Sequence, residues 1–201
     1  MVKNWAIAVG INQYDYLQPL NYAKRDAQLV QKFLANEAGF EQIFFFCDDS
    51  PDIGGKSTRP TRTNLLRILR QLFENPFMGA GDNFWFFFSG HSIRQAERDY
   101  LIPYDGDPED IENTAIAINF VTERLRRCGA DNVVLILDAC RSLGTRAGEG
   151  IGRQTLLFWR NNHHRFSKLR RKLHLRFCTK RSISSANNRS RHFSTQRLWF
   201  I

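Results

Sequence analysis

Acidic side chains vanish from the last quarter of this chain. All 20 Asp+Glu lie in residues 1–150, whereas residues 151–201 hold 13 of the 29 Lys+Arg and no acid. The net charge of +9 therefore averages two unlike parts, because the 16 cations left in residues 1–150 are outnumbered by 20 acids. Ordinary soluble domains carry about a quarter of their residues charged, with both signs mixed. The contrast divides the chain into a domain at 1–153 and a basic segment at 154–201, whose loss of acids reads as a replaced terminus. In that segment Phe166, Leu169, Leu173 and Phe177 fall at helical spacing, the pattern of a basic amphipathic helix. Ser182 to Gln196 is Ser-, Asn- and Arg-rich and reads as disordered. Cations interleaved with Trp159, Phe166, Phe177 and Trp199 suit phosphates, stacked bases or an anionic lipid surface. No nucleic-acid-binding module accompanies them, so that reading ranks behind those below.

Other absences narrow the class further. No apolar run approaches the ~18 residues of a membrane-spanning helix. The amino terminus offers only Trp5 to Val9 before Gly10, too short for the apolar region of a secretory signal. Cys47, Cys128, Cys140 and Cys178 are the only cysteines, and none stands at metal-ligand spacing. That excludes a disulfide framework or a zinc module and favours a reducing, cytoplasmic setting. Histidine is as scarce: of 5 in the chain, His91 alone falls in residues 1–150. His163, His164 and His174 lack partners of metal-ligand type, so no metal site is assigned. Internal repeats are absent.

What is present is organised around Asn132-Val-Val-Leu-Ile-Leu-Asp-Ala-Cys140. An unbroken aliphatic run reads as a strand buried on both faces, the habit of a parallel sheet. Trp5 to Val9, Ile43 to Cys47 and Phe84 to Phe88 read as three more strands. Between them lie helical stripes. Ala23, Ala27, Val30, Phe33 and Leu34 form one that stops at Gly39, with a start near Asn21. Leu65, Leu66, Leu69, Leu72 and Phe73 form a second, capped by Thr61 or Thr63, and Val121, Leu125 and Cys128 a third, starting at Asn119. Alternating strands and helices predict an α/β fold, an open and mostly parallel sheet with helices on both faces. Ile11 to Leu20 and Asp48 to Pro60 read as surface loops, and Tyr100 to Pro103 as a short extended piece.

In such sheets chemistry gathers at the carboxyl ends of the strands. Cys140 and His91 both stand just past the ends of apolar runs, with the histidine about 50 residues upstream. A thiol titrates near pH 8.5 and attacks only as thiolate, so a neighbouring imidazole that takes its proton makes a nucleophile of it. A core role for Cys140 is the plainer alternative, since unpaired cysteine often behaves as a small apolar residue.

Ser89-Gly90-His91 after an aromatic strand, then Tyr100-Leu-Ile-Pro103, then Asp138-Ala-Cys140-Arg-Ser, resembles the catalytic region of caspase-fold cysteine peptidases. Asp138 two places before the cysteine is similar to metacaspases, paracaspases and the bacterial orthocaspases. The resemblance covers roughly residues 3–153. It implies Cys140 as nucleophile, His91 as general base and acid, and backbone N–H groups of Cys140 and Ser92 as the oxyanion hole. It also implies Asp138 and Asp26 at the floor of the S1 pocket, hence a peptide or protein substrate with Arg or Lys at P1. Calcium held by acidic loops is a further implication, for which Glu97, Asp99 and Asp105 to Glu112 are loose candidates.

Two departures from the family pattern keep alternatives open. Ser92 stands where the family has glycine. Nothing after Gly152 reads as the strands of the small-subunit region that should follow, which would leave the fourth strand with an open edge. A caspase-fold remnant or signalling module without activity is the second reading, and a basic nucleic-acid binder acting through its tail the third.

Overall fold

The computed structural model describes residues 2–52, 55, 57–74, 78–143 and 153–161, with the backbone alone for 140–143 and 153–161. The stripe from Phe166 to Phe177, Cys178 and the Ser/Asn/Arg-rich stretch lie outside the described residues. The elements in order are β1 (Asn4–Gly10), α1 (Ala23–Asn36), β2 (Gln42–Cys47), α2 (Arg62–Phe73), β3 (Asn83–Gln95), β4 (Arg98–Leu101), α3 (Ile111–Thr114), β5 (Ile116–Ala117), α4 (Ile118–Arg127), β6 (Asn132–Leu143) and β7 (Arg153–Asn161). Strands β2, β1, β3 and β6 lie side by side and parallel. Antiparallel β4 pairs with the far end of β3, β5 pairs with β4, and β7 closes the other side of β6. The sheet is mixed, with a parallel centre.

Strand periodicity sorts the side chains between two faces. Ile7, Val9, Phe84, Phe86, Phe88, Val133, Leu135 and Leu137 form one core with Leu65, Leu69 and Leu72 of α2 and Val121 and Leu125 of α4. Each such side chain, fully buried, contributes about 1.5–3 kcal/mol. Thr61 caps α2 by accepting the Asn64 N–H at 3.3 Å. Across the sheet, α1 lies against β1 at Gly10, where a Cβ would stand 2.5 Å from the Ala23 carbonyl oxygen and 2.7 Å from the Ala27 Cβ. Only glycine lets the helix start this close to the strand end.

A polar ladder pins the register at the opposite end. Asn4, Asn83 and Asn132 are register partners on β1, β3 and β6. The Asn83 Nδ2 donates to Asn4 Oδ1, and the Asn132 Nδ2 donates to Asn83 Oδ1 at 2.7 Å. A slip by one residue would break both bonds and turn the core residues outward.

Three sequence expectations need correction. The strand read as Phe84 to Phe88 runs on to Gln95, and the one read as ending at Leu137 runs on to Leu143. Backbone pairing carries them past their apolar runs, because β3 and β6 hold each other and β4 folds back on Ser92 to Gln95. Residues after Gly152 do form a strand: β7 pairs with β6 from Cys140↔Arg153 to Asn132↔Asn161. The outer edge of β6 is therefore paired rather than open. The strand hides in the sequence because its apolar centre, Leu156 to Trp159, is short and set in basic surroundings.

Candidate active site

His91 and Cys140 are register partners on adjacent parallel strands, so their backbones lie about 4.8 Å apart in the hydrogen-bonding direction. Both stand inside the extended strands rather than beyond them. Ser92 and Arg141 are the next pair, after which Ile93 faces Leu143. The residue skipped in β6 makes a bulge one step beyond the candidate dyad, a place where bulges commonly re-aim groups next to a site.

The His91 side chain is buried, 5 % exposed, and is held by the loop between β1 and α1. Its Nε2 lies 2.8 Å from the Gln18 carbonyl oxygen. A carbonyl oxygen can only accept, so Nε2 carries the hydrogen, and in the neutral ring Nδ1 is then the acceptor. The Tyr14 ring packs on the imidazole with centroids 4.6 Å apart. The Tyr14 hydroxyl accepts the His91 N–H at 2.8 Å. Ile102, just after β4, donates its N–H to the His91 carbonyl at 3.0 Å. Neither Tyr14 nor Gln18 was legible as a site residue: a carbonyl contact leaves no mark on residue identity, and Tyr14 reads as one aromatic in a surface loop.

The Ser92 backbone follows from these bonds. Strand geometry turns successive N–H groups to opposite sides. With the His91 amide and carbonyl bonded on the β1 and β4 side, the Ser92 N–H is turned toward β6. Ser92 lies inside β3, and the non-glycine residues with positive φ among those described are Ala96 and Glu97.

Of the two candidate specificity carboxylates, Asp138 is almost wholly buried, 1 % exposed. It lies in one register row with Ser89 of β3 and Gly10 of β1. Asp26 is half-buried in the first turn of α1, the turn that packs over Gly10. Gly10 and Asp138 are two strand spacings apart, roughly 10 Å, so both acids belong to the carboxyl end of the sheet.

A family model described as the caspase domain matches residues 3–193. The chain belongs to the caspase domain family. The match continues past the 3–153 span that the motifs cover, into the acid-free segment. A probable protease of a Desulfuromonadales bacterium is 26 % identical over 155 residues, which is 71 % of this chain and 19 % of that protein. The chain thus spans about a fifth of the length of the curated relative it matches. Among the described residues no three His, Cys, Asp or Glu side chains are grouped to hold a metal ion. Glu97 is paired with Arg94, and Asp105 accepts the Arg62 N–H at 2.7 Å. No helix among the described residues is long and apolar enough to cross a membrane.

Proposed function

We propose that this caspase domain is a cysteine endopeptidase of metacaspase or orthocaspase type, cutting after Arg or Lys through Cys140 and His91. The observation that carries the reading is the register partnership of those two residues, since proximity is the first requirement of a proton-transferring pair. His91 takes the Cys140 thiol proton on Nδ1, while the Gln18 carbonyl holds the Nε2–H side of the ring. The thiolate attacks the carbonyl carbon after P1, and the C–N bond breaks as His91 returns the proton to the leaving amine. Water then gives His91 a proton, attacks the thioester, and releases the acid and the thiol. Backbone N–H groups of Cys140 and Ser92 serve as the oxyanion donors. Asp138 and Asp26 supply negative charge for a basic P1 side chain, because a buried carboxylate gains most from a guanidinium or ammonium partner. The substrate is accordingly a peptide or protein. Cys47 and Cys128, buried as thiols, suit a reducing, cytoplasmic setting, and the basic segment 154–201 gives its first residues, as β7, to the sheet.

One observation favours a second reading, an inactive caspase-fold module. The Ser92 N–H is turned toward β6, inside the sheet, and an oxyanion donor that misses its target costs about a hundredfold or more in rate. A fluorogenic peptide ending in Arg decides between the two. The first reading expects turnover by the full chain, abolished by Cys140→Ala and absent with an Asp-terminated peptide. No turnover by the wild type, with none gained in Ser92→Gly, overturns it in favour of the second.

A further inference from the structure

Asp48 follows the last residue of β2 and is half-buried. Its carboxylate reaches sideways to the root of the loop that follows β1. Oδ2 and Oδ1 accept the Asn12 N–H at 3.0 and 3.2 Å, and Oδ1 also accepts the Gln13 N–H at 3.2 Å. The next residue is Tyr14, whose hydroxyl and ring seat His91, and four further on is Gln18, whose carbonyl holds Nε2. Asn12 is tied in twice more. Its carbonyl accepts the Leu20 N–H at 2.7 Å, closing the loop. Its side-chain oxygen accepts the Lys24 N–H at 3.0 Å, capping α1, which has no cap from its own Tyr22. One carboxylate therefore anchors both the loop on His91 and the helix turn that carries Asp26.

Charge pairing does not account for this placement. The nearby lysine, Lys24, bonds Asp49 at 2.6 Å, while Asp48 is directed at backbone N–H groups. Burial raises its pKa, against the lowering effect of the Asn12 and Gln13 N–H groups and of Lys24. Carboxylates oriented on backbone N–H groups form strong, short-range anchors.

We propose that Asp48 is a positioning residue for the Cys140 and His91 chemistry: its carboxylate fixes the loop that seats Tyr14 and Gln18 on His91. The inference rests on the proposed dyad. Without the anchor the Asn12 and Gln13 N–H groups turn to water, the Gln18 carbonyl shifts, and the His91 ring loses its fixed tautomer. Misplacement of a catalytic group by about 1 Å can cost about a hundredfold in rate.

The test uses the full chain labelled with 15N-histidine, with the His91 signal assigned by its loss in His91→Gln. Wild type should show a single Nε2–H tautomer. Asp48→Ala should show mixed tautomers and exchange of that proton with water about tenfold faster or more. Asp48→Asn should fall between, because its amide keeps one acceptor oxygen, and it decides the matter where Asp48→Ala does not fold. Where turnover is measurable, kcat should fall more than KM rises. An unchanged His91 signature in the folded variant, or a wild-type signal averaged between tautomers, overturns the proposal. The signature is read without substrate, so a chain lacking peptidase activity but keeping the Asp48-dependent signature would refute the dyad's function and not the anchor.

Discussion

The Gln18 carbonyl and the His91 ring meet at 2.8 Å across 73 residues of chain. Tyr14, four residues before Gln18, covers the same ring and accepts the same residue's N–H. Tyr14→Phe keeps the ring and removes the acceptor of this part-buried N–H. The expected loss is about 1–3 kcal/mol, read as a lower urea midpoint with an unchanged slope.

Gly90 marks how tightly Tyr14 is seated. A Cβ there would stand 2.6 Å from the Tyr14 hydroxyl oxygen and 2.9 Å from the Phe88 Cζ. Gly90→Ala should destabilise by about 1–3 kcal/mol through overpacking. Because one close atom is the Tyr14 hydroxyl itself, Gly90→Ala should cost less in a Tyr14→Phe background. A double-mutant cycle measures the coupling, and strict additivity would contradict the packing described.

The asparagine ladder should be sensitive at its centre. Asn83 donates to Asn4 and accepts from Asn132, so Asn83→Ala removes two bonds and strands two partners. A loss of about 1–3 kcal/mol is expected. Asn4→Ala should cost less, because its other bond, to the Gly39 carbonyl, is exposed. Equal losses would argue against a ladder.

The β3–β4 hairpin turns through Ala96 and Glu97, both left-handed, with φ of 47° and 61°. Each such non-glycine residue costs about 1–2 kcal/mol relative to a right-handed one. Glu97→Gly should therefore raise stability by about 0.5–1 kcal/mol. The lost Arg94–Glu97 pair is exposed and offsets little of this. Thermal melting decides the sign.

Acid should act on Asp48 and Asp49 in opposite directions. The Lys24 bond, then the Cys47 thiol, lower the Asp49 pKa below 3.8. The stability from that pairing is complete above 3.8 and is lost as pH falls through the lowered folded value. Asp48, raised above 3.8 by burial, instead destabilises the fold increasingly as pH rises from 3.8 through its folded value. With the Asp49 side chain 69 % exposed, Asp49→Asn should cost under about 1 kcal/mol at pH 7. That difference should vanish in acid well below 3.8, as chemical denaturation over a pH series would show.

Much of this molecule was legible in its residues. Apolar runs such as Phe84 to Phe88 and Val133 to Leu137 demand burial on two faces, and helical stripes such as Leu65, Leu69 and Leu72 supply the cover. His91 and Cys140 stood out because their side chains bear chemistry and because both end an apolar run. Tertiary structure alone decided that β3 and β6 continue through those residues, that β7 pairs with β6, that the Gln18 carbonyl and Tyr14 meet His91, and that Asp48 bonds the backbone at the root of their loop. Side-chain hydrophobicity is written locally in the chain. Backbone carbonyls and N–H groups are the same in every residue, and which of them meet is settled only when distant segments are brought together.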